Sequence, residues 1–371
     1  MKYYKFEDYP RQNFAQFYQR KDYLKLQKKV KKILVLVGRP GLGDLIISIP
    51  FFTTLKDNFP GAKISYLGEI KAPLKNLFSL LPVDEYLYFD STKKINFLFL
   101  AGKFRKANFD LLIDTQRYFV PSFLFSLIPA KYRLGYSSKC LFSNWKFAEP
   151  ERKKVHDFCQ TLALLRVLGI EKCNFSPEIE LPEKYLSFAR KYLEKFPSQK
   201  GYFALIPGAG QSFKRWDLEK FACLGGELSK RGYLIVLIGG KNEKPLLEEL
   251  SKKMNGNCLV PLSDQEIFGT EPLYSTGILK LCHGAIGNDC GGIHLSTFVG
   301  TPVVALYGPT NPVKFGPLGE KNVVLFKNYP CSPCEKKHCR YDCKCLRDIK
   351  KEEVLQSALQ PVKSFKNVTM S

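Results

Sequence analysis

A single carboxylate, Asp44, stands between a glycine-rich turn and an apolar helix in "LVLVGRPGLGDLIISIPFFTTL", which begins at Leu34. Gly41 and Gly43 allow a ligand close to the backbone and leave the amides at the helix start free. Asp44 then has two available roles. It satisfies those amides and the helix dipole, or it acts as a general base on a hydroxyl within hydrogen-bond reach. The turn lacks the Lys-Ser/Thr pair of a P-loop. Read from Gly38, its glycine spacing also fails the dinucleotide fingerprint, and "ISYLGE" ends the next strand without a suitably placed acidic residue. NAD and FAD are not expected.

Further along, "PGAGQSFKRW", "IGGKNE" and "GNDCGGIHLSTFVGTPVVALYGPTNP" each follow an apolar run. Gly291 and Gly292 precede a helix whose free amides can take a phosphate, and Lys214 offers a cation beside them. His294, three residues into that helix, suits either a structural imidazole or a hydrogen bond to phosphate or sugar. Asp289 either caps the helix or orients a sugar hydroxyl or the histidine. Near the end, Cys331, Cys334, Cys339, Cys343 and Cys345 are spaced C-x2-C-x4-C-x3-C-x-C. Four thiolates can close a structural zinc site, with His338 as a further donor, although the spacing is tighter than that of paired knuckles. Reduced thiols packed in a loop, or a disulfide, are the alternatives. No base accompanies a thiol here, so a catalytic role is not expected.

The elements that must carry these residues alternate. From Ile33 the chain reads strand, helix, strand: "ILVLV", a helix over 43–58, "AKISYLG", a helix near 71–80, "EYLYF", "FDLLIDT", and a helix in "HDFCQTLALLRVLGI" that stops at Gly169. The pattern restarts at "YFALIPG" and runs through "YLIVLIGG", "HGAIGND" and "TPVVALYG", with helices between. Continuous apolar strands separated by helices predict parallel sheets covered on both faces. The expected division is a basic aromatic extension over 1–32 and an α/β domain over 33–175. A connector over 176–200 and a second α/β domain over 201–371 follow. Such domains bind ligands outside the carboxyl ends of their strands, here in a cleft between the two.

Of 371 residues, Lys+Arg number 57 and Asp+Glu 35, giving a formal net charge of +22. That excess favours an anionic partner. Residues 1–32 carry a local net charge of +7, and their mixture of bases and rings suits either an interfacial helix or a solvated helix packed on the domain. No helix-turn-helix, KH-type or RNP-type pattern occurs, so nucleic acid is not expected. Neither an export signal nor an apolar run of spanning length is evident. The chain is expected in the cytoplasm, with its thiols reduced.

Taken in order, "GLGDLIISIPFFTTLKDNFPGAKISYL", "PGAGQSFKRW", "GNDCGGIHLSTFVGTPVVALYGPTNP" and "CSPCEKKHCRYDCKCLRDIKKEEV" resemble the lipopolysaccharide heptosyltransferase family, glycosyltransferase family 9, over 33–361. The resemblance implies a GT-B fold, two Rossmann-like domains with parallel sheets facing across a cleft. The first would take the acceptor and the second an ADP-sugar donor. It implies Asp44 as catalytic base and Lys214 at the donor phosphates. Glu243 would meet the nucleoside ribose, and Asp289, Cys290, Gly291, Gly292 and His294 would hold the donor. Cys331, Cys334, Cys339 and Cys345 match a cysteine-bearing tail in related members, Cys343 being extra. Two departures concern the sugar: Cys290 replaces a usual hydroxyl, and Ala209 and Gly210 replace threonines found in some members. The implied reaction is inverting transfer of heptose to the inner core (Kdo/heptose) of lipopolysaccharide, an anionic lipid-linked acceptor at the cytoplasmic face of the inner membrane. No Asp-x-Asp pair marks a metal site, so no catalytic cofactor is expected.

Overall fold

The computed structural model describes residues 26–37, 42–68, 72–88, 104, 107–115, 128–136, 145–147, 156–170, 179–319, 321–334, 336 and 339–360. The chain forms two compact units, Tyr3–Pro177 and Glu178–Ser371.

In the N-terminal unit β1 (Lys32–Leu36), β2 (Lys63–Gly68), β3 (Glu85–Tyr88), β4 (Phe109–Asp114), β5 (Ala130–Tyr136) and β6 (Trp145–Phe147) form one sheet in the order β3-β2-β1-β4-β5-β6. Every neighbouring pair is parallel. Ile33, Leu34, Val35 and Leu36 are all fully buried, which explains the unbroken apolar run of β1. Leu36 lies opposite Leu67 of β2 and Asp114 of β4. Strand order reverses between β1 and β4, and the carboxyl ends of those strands are where such a sheet receives ligands.

The single helix predicted over 43–58 is two, α1 (Leu42–Ile47) and α2 (Ile49–Asn58). Pro50 has no N–H for the preceding turn and its ring crowds that turn. Ser48 marks the break, its hydroxyl turned back to the Leu45 carbonyl at 2.6 Å. Neither β5 nor β6 was expected: β5 is only half buried, so it lacks an apolar run, and β6 is three residues long. Three buried rings, Phe52, Tyr66 and Phe78, contact one another in series, and Phe78 meets the half-buried Tyr86. The end of the 1–32 extension joins this unit: Leu26 and Val30 are buried, and the Gln27 amide donates to the Asn58 carbonyl. The remainder of the expected interfacial helix lies outside the described residues. α3 (Asp157–Val167) ends this unit, and Gly169 takes φ +80° where the helix was expected to stop.

The C-terminal unit holds β7 (Tyr202–Ile206), β8 (Leu234–Leu237), β9 (Gly284–Asn288), β10 (Val303–Tyr307) and β11 (Val323–Phe326). All are parallel, in the order β11-β10-β9-β7-β8. Counted from β7 this is 2-1-3-4-5, with its reversal between β7 and β9. The stretch expected as a connector contributes α4 (Glu183–Leu193), which packs within this unit. The other long helices are α5 (Leu218–Ser229), α6 (Lys244–Lys253), α7 (Pro272–Leu281), α8 (Gly291–Phe298) and α9 (Lys351–Leu359). α4 lies against α7 at Gly277, where an added Cβ would stand 2.5 Å from the Tyr185 carbonyl oxygen. The pair is sealed by rings, Phe188 to Tyr274 at 4.7 Å and Tyr185 to Tyr274 at 4.9 Å. Among the described residues no helix is long and apolar enough to cross a membrane.

Candidate donor site

At the reversal point of the C-terminal sheet, β7 ends at Ile206 and releases the loop 207–216, while β9 ends at Asn288 and releases Asp289 and Cys290 into α8. Lys214 lies in a one-turn 3-10 helix, Ser212–Lys214. Its Nζ is 3.0 Å from Asp289 Oδ2, with side chains 27% and 12% exposed. The lysine is therefore held rather than freely solvated. Asp289 does not cap α8, because that position belongs to Cys290, whose side chain makes no capping hydrogen bond. A neutral thiol is a weak acceptor. Burial pushes the Cys290 thiol up to about 12, and although the Ile293 and Gly292 amides beside the sulfur pull the other way, the charges of Glu243 and Asp289 add to the rise. The first amides of α8 thus meet no stronger acceptor than a neutral thiol, which an anion can outcompete.

His294 is buried in the first turns of α8. Burial lowers its pKa below the usual imidazole value, against the opposing pull of the Asp289 charge. A neutral ring has one donor and one acceptor. Glu243 reaches the same cluster from the loop after β8: its Oε2 accepts from the Gly240 N–H at 2.8 Å. An added Cβ on Gly208 would lie 1.9 Å from Glu243 Oε1, so the carboxylate rests where only glycine leaves room. The fold thus gathers Lys214, Glu243, Asp289, Cys290, Gly291, Gly292 and His294 at one sheet edge.

Asp44 is the third residue of α1, the helix that follows β1 at the reversal point of the N-terminal sheet. Its side chain and the turn 38–41 lie outside the described residues. The neighbouring end of β4 is tied to β1, because Thr115 gives both its N–H and its hydroxyl to the Leu36 carbonyl, at 3.1 and 2.8 Å.

A zinc set at Cys331, Cys334, Cys339 and Cys345, one of the three readings of the tail, finds no support in its arrangement. Among the described residues no three or more His, Cys, Asp or Glu side chains are placed to hold a metal; His338 lies outside them. The Cys339 sulfur instead accepts the Cys343 N–H at 3.2 Å and the Tyr341 N–H at 3.4 Å. Burial would raise the Cys339 pKa, but those amides and the Cys343 thiol bring it below the usual thiol value. The tail is fastened to the turn after β10 through Cys334 N–H on the Pro309 carbonyl at 3.0 Å and Ser332 Oγ on the Gly308 carbonyl at 2.6 Å.

Three further residues shape the site without having been singled out from sequence. Asn288 is fully buried and joins the two ends of the loop 207–216. Trp216 is buried beneath the lysine loop with its indole N–H on the Ile349 carbonyl at 3.1 Å. Tyr307, also buried, donates to the Phe315 carbonyl at 2.6 Å. Burial, and next the adjacent Asp289 carboxylate, push its phenol well above the ordinary tyrosine value. A buried asparagine at a strand end is unusual enough to be a signal; the other two read as ordinary core rings.

A sequence model described as glycosyltransferase family 9 (heptosyltransferase) matches residues 98–345. The chain is 27% identical over 301 residues to lipopolysaccharide heptosyltransferase 3 of Escherichia coli K12, covering 76% of this chain and 84% of that protein. Its fold resembles that of a glycosyl transferase family 9 protein from Veillonella parvula, with a TM-score of 0.74 and 24% identity over 88% of this chain and 96% of that one. It also resembles the E. coli ADP-heptose lps heptosyltransferase II, with a TM-score of 0.70 and 21% identity over 88% and 97%. The two α/β units thus have the fold expected of GT-B proteins.

Proposed function

Because the chain belongs to glycosyltransferase family 9, the heptosyltransferase family, and is thereby a glycosyltransferase, we propose that it moves heptose from ADP-heptose to the inner core of lipopolysaccharide. The observation that carries this reading is the Lys214–Asp289 pair at 3.0 Å beside the uncapped start of α8. A diphosphate needs a cation and free amides at one place; a sugar needs a carboxylate and a neutral imidazole for its hydroxyls. The E. coli protein of similar fold bears ADP-heptose in its name, which supports the same donor here.

In this mechanism Asp44 takes the proton of the acceptor hydroxyl as that hydroxyl attacks the anomeric carbon. The carbon–oxygen bond to the diphosphate breaks on the opposite side, so the configuration inverts. Lys214 and the α8 amides carry the charge that grows on departing ADP. With that charge met by protein groups, the transfer is read as needing no metal. Glu243 meets the ribose, and Asp289 and His294 orient the sugar. The acceptor is an anionic lipid-linked glycan, to which a chain of net charge +22 is drawn electrostatically.

Cys290, Ala209 and Gly210 offer no hydroxyl toward the donor, which favours, as a second reading, transfer of a different sugar to another glycan. Incubating the pure protein with a panel of nucleotide sugars and Kdo–lipid A acceptors, with product mass as readout, separates the two. A heptose increment from ADP-heptose supports the first reading and a different increment the second. No product from any donor would remove both.

A further inference from the structure

We propose that Asn288 is the positioning residue for Lys214, a single carboxamide that closes both ends of the lysine loop. This rests on the donor reading above. Asn288 is the last residue of β9 and has no exposed surface. Asparagine is disfavoured in strands and rarely fully buried, so its presence here needs a local cause. Its Nδ2 donates to the Pro207 carbonyl at 2.7 Å, and its Oδ1 accepts the Trp216 N–H at 2.9 Å. Only one orientation of the amide satisfies both, since a carbonyl must be met by the NH2 and an N–H by the oxygen.

Pro207 opens the loop and Trp216 ends it. Between them the loop is tied to itself: Arg215 donates to the Ala209 carbonyl at 3.2 Å, and Lys214 N–H reaches the Gln211 carbonyl at 3.1 Å. A loop so knit moves as one piece once its ends are fixed, and Asn288 fixes them. The next residue, Asp289, receives the lysine ammonium. One strand end therefore sets where the lysine stem starts and where its charge points. A lysine is a flexible four-carbon stem carrying a point charge, so its use against a diphosphate depends on where the stem is rooted. Misplacing such a group by about 1 Å can cost roughly a hundredfold in rate.

Calorimetry of ADP and of adenosine with the wild type, Asn288→Ala, Lys214→Ala and the double variant tests this. Asn288→Ala should weaken ADP roughly tenfold, as losing a supporting partner of a ligand-binding group does, and spare adenosine. With alanine already at 214, the Asn288 change should add almost nothing for ADP. Equal losses for ADP and adenosine, or an undiminished loss in the Lys214→Ala background, would overturn the proposal and leave Asn288 a purely structural residue. Should Lys214→Ala leave ADP binding unchanged, the donor reading itself fails, and that single variant shows it. If Asn288→Ala does not fold, Asn288→Asp serves. Its ionised form keeps the Trp216 bond but cannot donate to Pro207. At a fully buried position desolvation raises a carboxyl's pKa by up to about 3–5 units, so ADP affinity relative to wild type should be low at pH 8 and recover towards pH 5.5 as the carboxyl gains a proton. A ratio that does not change with pH would equally overturn the proposal.

Discussion

At the scale of single residues, the reaction proposed here divides its work between groups that meet charge and one group that moves a proton. Asp44→Asn removes only the acceptor of that proton. The variant should bind ADP normally and turn over about 10² to 10⁴ times more slowly; near-wild-type turnover at saturating donor and acceptor would end the assignment. His294 carries a different consequence. Burial lowers its pKa from the ordinary 6.5, so between those two values the unfolded chain takes up a proton that the folded chain refuses. Stability therefore rises with pH through that window and falls as acid is added, by at most about 1.4 kcal/mol per pH unit for one group. As the pH is lowered from 7 to 5, urea midpoints should fall less steeply for His294→Gln than for the wild type; parallel slopes would show the imidazole charging freely in the fold. The lysine, the aspartate and the histidine were legible because glycine turns after apolar strands announce where a sheet opens to ligand. Asn288 and Tyr307 were not, because their partners come from distant loops and no spacing within either motif records them.

At the scale of elements, what the pattern of apolar residues could reveal depended on how each element is buried. β1, β4, β7 and β10 read as continuous apolar runs, whereas β5 is half exposed and β6 is three residues long, and neither gave such a run; β11 has a run, but one of only four residues. α7 escaped for another reason. Its buried face mixes Leu273, Ile278 and Leu279 with Ser275, Thr276 and Gly277, so its inward residues do not form an unbroken apolar stripe. Two of them are satisfied locally, Ser275 on the Phe268 carbonyl at 2.6 Å and Thr276 on the Pro272 carbonyl at 2.8 Å. The glycine is there for closeness, since α4 crosses where a side chain would stand. Gly277→Val should therefore destabilise the C-terminal unit by about 1 to 3 kcal/mol, the usual cost of overpacking. That exceeds the gain of well under 1 kcal/mol from replacing a helical glycine by a β-branched residue. An unchanged urea midpoint would mean that α4 yields without loss and is not fastened to α7.

At the scale of the whole molecule, the excess of 22 positive charges bears on where the enzyme works. We propose the cytoplasmic face of the inner membrane, where a lipid-linked acceptor would be met. Bases before the described N-terminal residues would add about 1 kcal/mol each near an anionic surface. Deleting residues 1–25 should lower sedimentation with anionic vesicles and spare activity on a soluble, delipidated acceptor, and high salt should mimic the deletion. Sedimentation indifferent to both would remove the extension from any role in membrane contact. Tryptophan occurs only twice in the chain, at Trp145 in β6 and at Trp216, so each unit owns one. A Trp145→Phe protein would emit from the C-terminal unit alone, and a Trp216→Phe protein from the N-terminal unit alone, which lets the melting of each half be followed by light within the intact chain. Trp216 is 1% exposed, with the Lys220 ammonium 5.8 Å from its ring centre. Because it follows Lys214 by two positions and shares the Asn288 anchor, its emission should also shift when a ligand occupies the lysine loop.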